Sequence, residues 1–93
     1  MENTQLFVVA HYFAQPTMGH KVNDALRMLA EATRQEPENI SYEFFRSTED
    51  GDRFVILETY RCAEGLELHR KTEHFQRIGT GIIAPMLERK EVK

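Results

Sequence analysis

Residues 39–48 and 53–61 are two short runs rich in β-branched and aromatic side chains, separated only by Glu49-Asp50-Gly51-Asp52. An Asp-Gly pair between such runs predicts a β-hairpin, with Gly51 supplying the positive φ of a tight or bulged turn. Side chains alternate across a strand, so Ile40, Tyr42 and Phe44 share one face, and Ser41, Glu43, Phe45 and Ser47 the other. On the second strand Phe54, Ile56, Glu58 and Tyr60 oppose Val55, Leu57 and Thr59. Neither face of this hairpin is polar throughout. Helices of the same chain can cover one face, and something else has to cover the other.

The remaining elements read off in order. Residues 6–13 form a first strand, again apolar or aromatic on both sides: Leu6, Val8, Ala10 and Tyr12 against Phe7, Val9, His11 and Phe13. Pro16 and Gly19 break the chain into a loop. A helix then runs from about Gly19 or His20 to Gln35, with Val22, Leu26, Leu29, Ala30 and Thr33 at helical spacing. Pro37 ends it, because proline disfavours helical geometry in the residue before it. After the hairpin a short helix is expected over residues 63–70. Thr72 is placed to cap a second one that carries Phe75, Ile78, Ile82 and Ile83 and frays near Gly79 and Gly81. Periodicity equally allows one unbroken helix over residues 63–83. Pro85 stops the helices, and residues 86–92 make a last, charged strand.

That order, β-α-β-β-α(α)-β, predicts an α+β protein with the ferredoxin-like split β-α-β fold, a four-stranded antiparallel sheet backed by helices. The expected unit is one domain over residues 1–93, a length near the lower end for a self-sufficient core. A sheet with aromatics on its uncovered face exceeds the apolar patch a monomer tolerates, so a homodimer through facing sheets is expected.

Composition narrows the partners. A formal net charge of −3 argues against nucleic acid or an anionic membrane, either of which favours a basic patch. No apolar run is long enough to span a bilayer, and the start of the chain lacks the positive region of a signal sequence. The single cysteine, Cys62, allows no intrachain disulfide, and the expected location is the cytoplasm.

With this order in hand, the chain resembles the antibiotic biosynthesis monooxygenase (ABM) domain family and its small quinol monooxygenase-like proteins. The likeness lies in Glu36-Pro37-Glu38-Asn39-Ile40-Ser41-Tyr42-Glu43, in the strand from Phe54 to Tyr60 ending Glu58-Thr59-Tyr60, and in His69 followed by His74-Phe75. It extends over residues 6–87. No single motif is specific, and their order and spacing carry the match. Two departures are Glu38 where glycine is usual and Thr72-Glu73 where Ser-Pro is common. The resemblance implies a dimeric α/β-barrel of two facing sheets. It also implies oxidation of a phenolic or quinol-like small aromatic molecule by O₂, with no cofactor. Other branches of the family degrade heme, isomerise small metabolites or have no established activity, so the likeness alone does not fix the chemistry. The heme-degrading branch places a ligand histidine where this chain has Ile78-Gly79, which disfavours heme.

His69 and His74 are the candidate catalytic residues. On one continuous helix they would stand about 140° apart, whereas a break near Lys71-Thr72 lets both approach one cavity. A histidine can take a phenolic proton near neutrality, leaving a phenolate that O₂ can attack. The plainer reading is a histidine hydrogen-bonded to backbone where the helices meet. Tyr12, Tyr42, Phe44, Glu58, Tyr60 and Phe75 are the candidate substrate-binding walls, although aromatics on strands are more often core. Glu58, on an otherwise apolar strand, needs a partner or a cavity. Metal binding is not expected, since no histidine pair has the i, i+4 spacing of a helical ligand pair. The competing functions are a small-metabolite isomerase using the same histidines, and a non-catalytic dimeric ligand-binding or stress-response protein. A pocket too small or too polar for an aromatic ring favours either of these.

Overall fold

The computed structural model describes residues 4–93; residues 1–3, part of the stretch read as lacking a signal sequence, lie outside it. Strand β1 (Leu6–Ala14) is followed by helix α1 (Gly19–Thr33), then by the hairpin of β2 (Asn39–Arg46) and β3 (Arg53–Tyr60). Helix α2 (Ala63–Lys71) leads to α3 (Phe75–Ile83), a 3₁₀ turn (Ala84–Met86) and β4 (Leu87–Val92). The strands form one antiparallel sheet in the order β2-β3-β1-β4, the ferredoxin-like arrangement that the element order predicts.

The helix-facing side of the sheet carries Ala10, Tyr12, Tyr42, Phe54 and Ile56, all buried. Against it α1 lays Val22, Leu26, Leu29 and Ala30 of the stripe read from its spacing, with Ala25 added, and α3 contributes Ile78 and Ile83. On the opposite side Phe7 is 68% exposed and Leu57 38% exposed. Phe13, on that side, is flanked by the guanidinium groups of Arg53 and Arg89, at 5.2 and 4.0 Å from its ring centre.

Three local features depart from the sequence reading. The hairpin forms, but Gly51 does not take a positive φ. Its longer loop is closed by Ser47, whose Oγ accepts from the amides of Glu49 and Asp50, each at 3.1 Å. Ile40 does not share the buried face of Tyr42, because the register shifts between Asn39 and Ser41 and turns Ile40 outward. Past Thr72 the chain does not fray at its glycines; residues 75–83 wind as a π-helix.

The start of α1 has no cap from its own side chains. Asp52, from the hairpin loop, does the capping: its carboxylate accepts from the amide of Gly19 at 2.8 Å and from that of Thr17 at 3.2 Å. Thr17 is held at φ 71° there. A Cβ on Gly19 would stand 1.9 Å from the Gly51 carbonyl oxygen, so only glycine allows this approach.

Candidate functional site

The break between α2 and α3 decides the site. Thr72 adopts extended backbone (φ −70°, ψ 155°). Its Oγ1 donates to the carbonyl of His69 at 2.7 Å and accepts from the amide of Phe75 at 3.2 Å. One side chain thus finishes α2 and starts the next turn, which settles the open choice in favour of two helices. The break brings His69 and His74 together, with ring centres 6.2 Å apart.

Both imidazoles meet the same oxygen. Glu36 Oε2 lies 2.8 Å from His69 Nδ1 and 2.5 Å from His74 Nε2. Glu36 itself is fixed by the turn that leaves α1, where its amide donates to the Thr33 carbonyl at 2.9 Å and its carbonyl accepts from the Asn39 amide at 3.2 Å. Sequence reasoning did not single out this glutamate. The proline after it reports on backbone geometry and says nothing of where the side chain goes. The usable signal was the pair of inward-placed histidines, whose ring N–H groups require an acceptor.

His69 is 2% exposed and boxed by rings: Phe75 edge-on at 5.0 Å, Tyr60 at 5.5 Å and Tyr42 at 6.2 Å between centres. With Nδ1 on Glu36, the far nitrogen of His69 is the one left for the cavity that the residue lines. That cavity measures about 60 Å³ and is walled by Tyr12, Tyr42, Glu58, Leu66, His69 and Phe75 among others. Arg70 and Lys90, which the sequence did not single out, also line it. Tyr60, Phe44 and His74 do not. Tyr60 donates its hydroxyl to Glu58 Oε1 at 2.7 Å, Phe44 packs against the core, and His74 sits behind Glu36.

Burial sets the protonation of this cavity. It pushes the Tyr12 hydroxyl up to about 12, with the Glu58 charge adding to the effect. Burial likewise raises Tyr42 well above the ordinary tyrosine value, and Tyr60 too, where Glu58 contributes. Glu58 is itself raised by burial, against the opposing pull of the Tyr60 hydrogen bond and the charges of His69 and Arg70. The tyrosines are therefore hydrogen-bond donors and not bases.

The sequence model of the antibiotic biosynthesis monooxygenase domain matches residues 5–80. The chain belongs to the antibiotic biosynthesis monooxygenase family. A solved structure described as an antibiotic biosynthesis monooxygenase is 32% identical, with 94% of this chain and 92% of that one covered and a TM-score of 0.86. A conserved Bacteroides thetaiotaomicron protein of unknown function, described as a possible oxidoreductase, is 28% identical with a TM-score of 0.89, covering 99% and 96% of the two chains. A Pseudomonas aeruginosa structure is 26% identical over 100% of this chain and 92% of its own, with a TM-score of 0.88. No curated protein matches the sequence. Membership in the ABM family accounts for the fold and leaves the substrate to be argued from the cavity.

Proposed function

We propose that this ABM protein is a cofactor-independent monooxygenase that acts on a small phenolic or quinol-type substrate with O₂, using His69 as the base. The observation that supports this is a buried imidazole with one nitrogen anchored and the other at a cavity. Glu36 at Nδ1 favours the tautomer with its N–H on that side, which leaves a lone pair on Nε2. A fixed tautomer aimed at the substrate is what a general base requires. Tyr12 and Tyr42, held protonated, donate to the phenolate as it forms. Phe75 and Leu66 supply apolar wall. His74, half-buried, holds the same carboxylate from its other side.

The reaction balances without an external reductant. A hydroquinone and O₂ give a hydroxyquinone and water: one oxygen atom enters the ring, the other leaves as water, and the substrate supplies every electron. The proton taken by His69 returns to the reduced oxygen. The test is O₂ consumption with a panel of hydroquinones and polyphenols. His69→Ala should lower turnover per folded molecule about 10²–10⁴-fold. Undiminished turnover in that variant would remove the base from the mechanism.

One observation favours a second reading. The cavity's 60 Å³ is far below the roughly 300 Å³ at which drug-sized ligand sites begin. A ring enters only if exposed Arg70 and Lys90 swing aside, whereas a small metabolite needs less room. The same histidine would then shuttle a proton in an isomerisation, recognised by solvent-deuterium incorporation without O₂ uptake.

The assembly belongs to the same proposal. The exposed Phe7, Phe45 and Leu57 on the open side of the sheet support a homodimer of facing sheets. We place the protein in the cytoplasm; no helix among the described residues is long and apolar enough to cross a membrane.

A further inference from the structure

The side chains that hold His69 also form a metal-type donor set. One ligand atom each from Glu36, His69 and His74 lies within 4.8 Å of the others. The three come from separate segments: the turn after α1, the last turn of α2, and the residue before α3. Spacing along one helix could not reveal them, because the Thr72 break is what brings them together. Two imidazoles and a carboxylate are ligands that zinc and neighbouring divalent ions take, with water completing the shell. Among the described residues, the ion-pairing partners of Glu36 are these two imidazoles, with no lysine or arginine beside it.

We propose that Glu36, His69 and His74 bind one divalent first-row transition-metal ion of the zinc class. Metal–nitrogen and metal–oxygen bonds of about 2.0–2.2 Å set tetrahedral ligands roughly 3.3 Å apart. Glu36 Oε2 stands at 2.8 and 2.5 Å from the two nitrogens, so the carboxylate backs away by under about 1 Å while the imidazoles turn toward the ion. The Glu36 and His74 side chains are 10% and 19% exposed, which gives the ion a path from solvent that does not cross the cavity. Binding also changes what the cavity sees. An ion on Nδ1 leaves the ring's one proton on Nε2, so His69 presents a donor where it had presented a lone pair. That consequence rests on His69 being the base; the binding itself does not.

The test uses tag-free protein titrated with Zn²⁺ alone by calorimetry, and with Co²⁺ followed by its visible absorption. One ion per chain and tetrahedral-type Co²⁺ bands are expected. His74→Ala and Glu36→Ala should each weaken binding by more than about 100-fold, since even residues one layer behind a ligand are worth about 10- to 100-fold. His11→Ala and His20→Ala should bind as wild type does. In wild-type protein, imidazole NMR signals of His69 and His74 should move with Zn²⁺ while those of His11 and His20 stay; this reading stands even where a variant does not fold. No saturable binding, unchanged affinity in folded His74→Ala, or shifts confined to His11 and His20 would overturn the site. With the site confirmed, undiminished turnover at saturating Zn²⁺ would overturn the switching of His69 alone.

Discussion

Replacing Glu36 by alanine removes the carboxylate whose Oε2 both imidazoles share, and leaves them without an acceptor. The costs differ because the burials differ. His69 is 2% exposed, so an unpaired N–H there carries the full penalty for a buried donor, about 1–3 kcal/mol. The His74 side chain is 19% exposed and can recruit water, so only the net worth of its bond is lost, about 1 kcal/mol. Together Glu36→Ala should destabilise the fold by about 2–4 kcal/mol. For a domain of this length each kcal/mol moves Tm by about 4–8 °C, which gives a fall of roughly 10–30 °C. Glu36→Gln keeps an acceptor oxygen and loses only the strengthening that charge gives, about 1–2 kcal/mol. The assay is urea unfolding of both variants, of His69→Ala and of the Glu36→Ala/His69→Ala double variant. The cycle should return a coupling of about 1–3 kcal/mol between the two residues. A coupling under about 0.5 kcal/mol, or an alanine variant that melts like wild type, would refute the reasoning.

Three further outcomes are expected. Burial raises Glu58 above its ordinary value of 4.5, so the stability that its neutral form contributes is complete below that value and is lost as pH rises through the raised one. Glu58→Gln should therefore gain on wild type as pH rises toward neutrality, and the two melting curves should converge near pH 4; a gap independent of pH would contradict this. Thr33 Oγ1 is buried without a hydrogen-bond partner among the described residues, so Thr33→Val should stabilise by about 1 kcal/mol in chemical denaturation, and a loss of that size would show that the hydroxyl is partnered. Leu57→Lys, on the open side of the sheet, should turn a dimer into a monomer by light scattering while leaving the helix-side core intact; a variant that still sediments as a dimer would move the interface elsewhere.

Much of the fold was legible because its determinants are local. The α1 stripe, the two apolar runs of the hairpin and the prolines at 37 and 85 each report on their own neighbourhood. Thr72 belongs to the same class: its hydroxyl works within three residues on either side. What was not legible depends on contacts far along the chain. Glu36 reaches residues 33 and 38 positions away, and no periodicity encodes that. Ile40 turns outward because of a shift in pairing with β3, which its own alternation cannot reveal. Gly51 looked like a turn glycine, yet its conformation is ordinary and the strained residue is Thr17, in another loop. The aromatic walls were identified as types, while the volume they enclose follows only from how Phe75 and the tyrosines pack.

The cap that Asp52 places on α1 bears on how this chain can be made. During synthesis β1 and α1 leave the ribosome well before residue 52 does. Until the hairpin loop emerges and docks, the first amides of the helix have only water as partner. Helices of this length are marginal in isolation. The N-terminal half therefore lacks the cap of its one helix until the hairpin loop docks, which disfavours it as a cotranslational intermediate. A stalled nascent chain in which about residue 45 is the last to have cleared the exit tunnel should accordingly be cut by protease within α1, and one whose hairpin has also cleared the tunnel should resist.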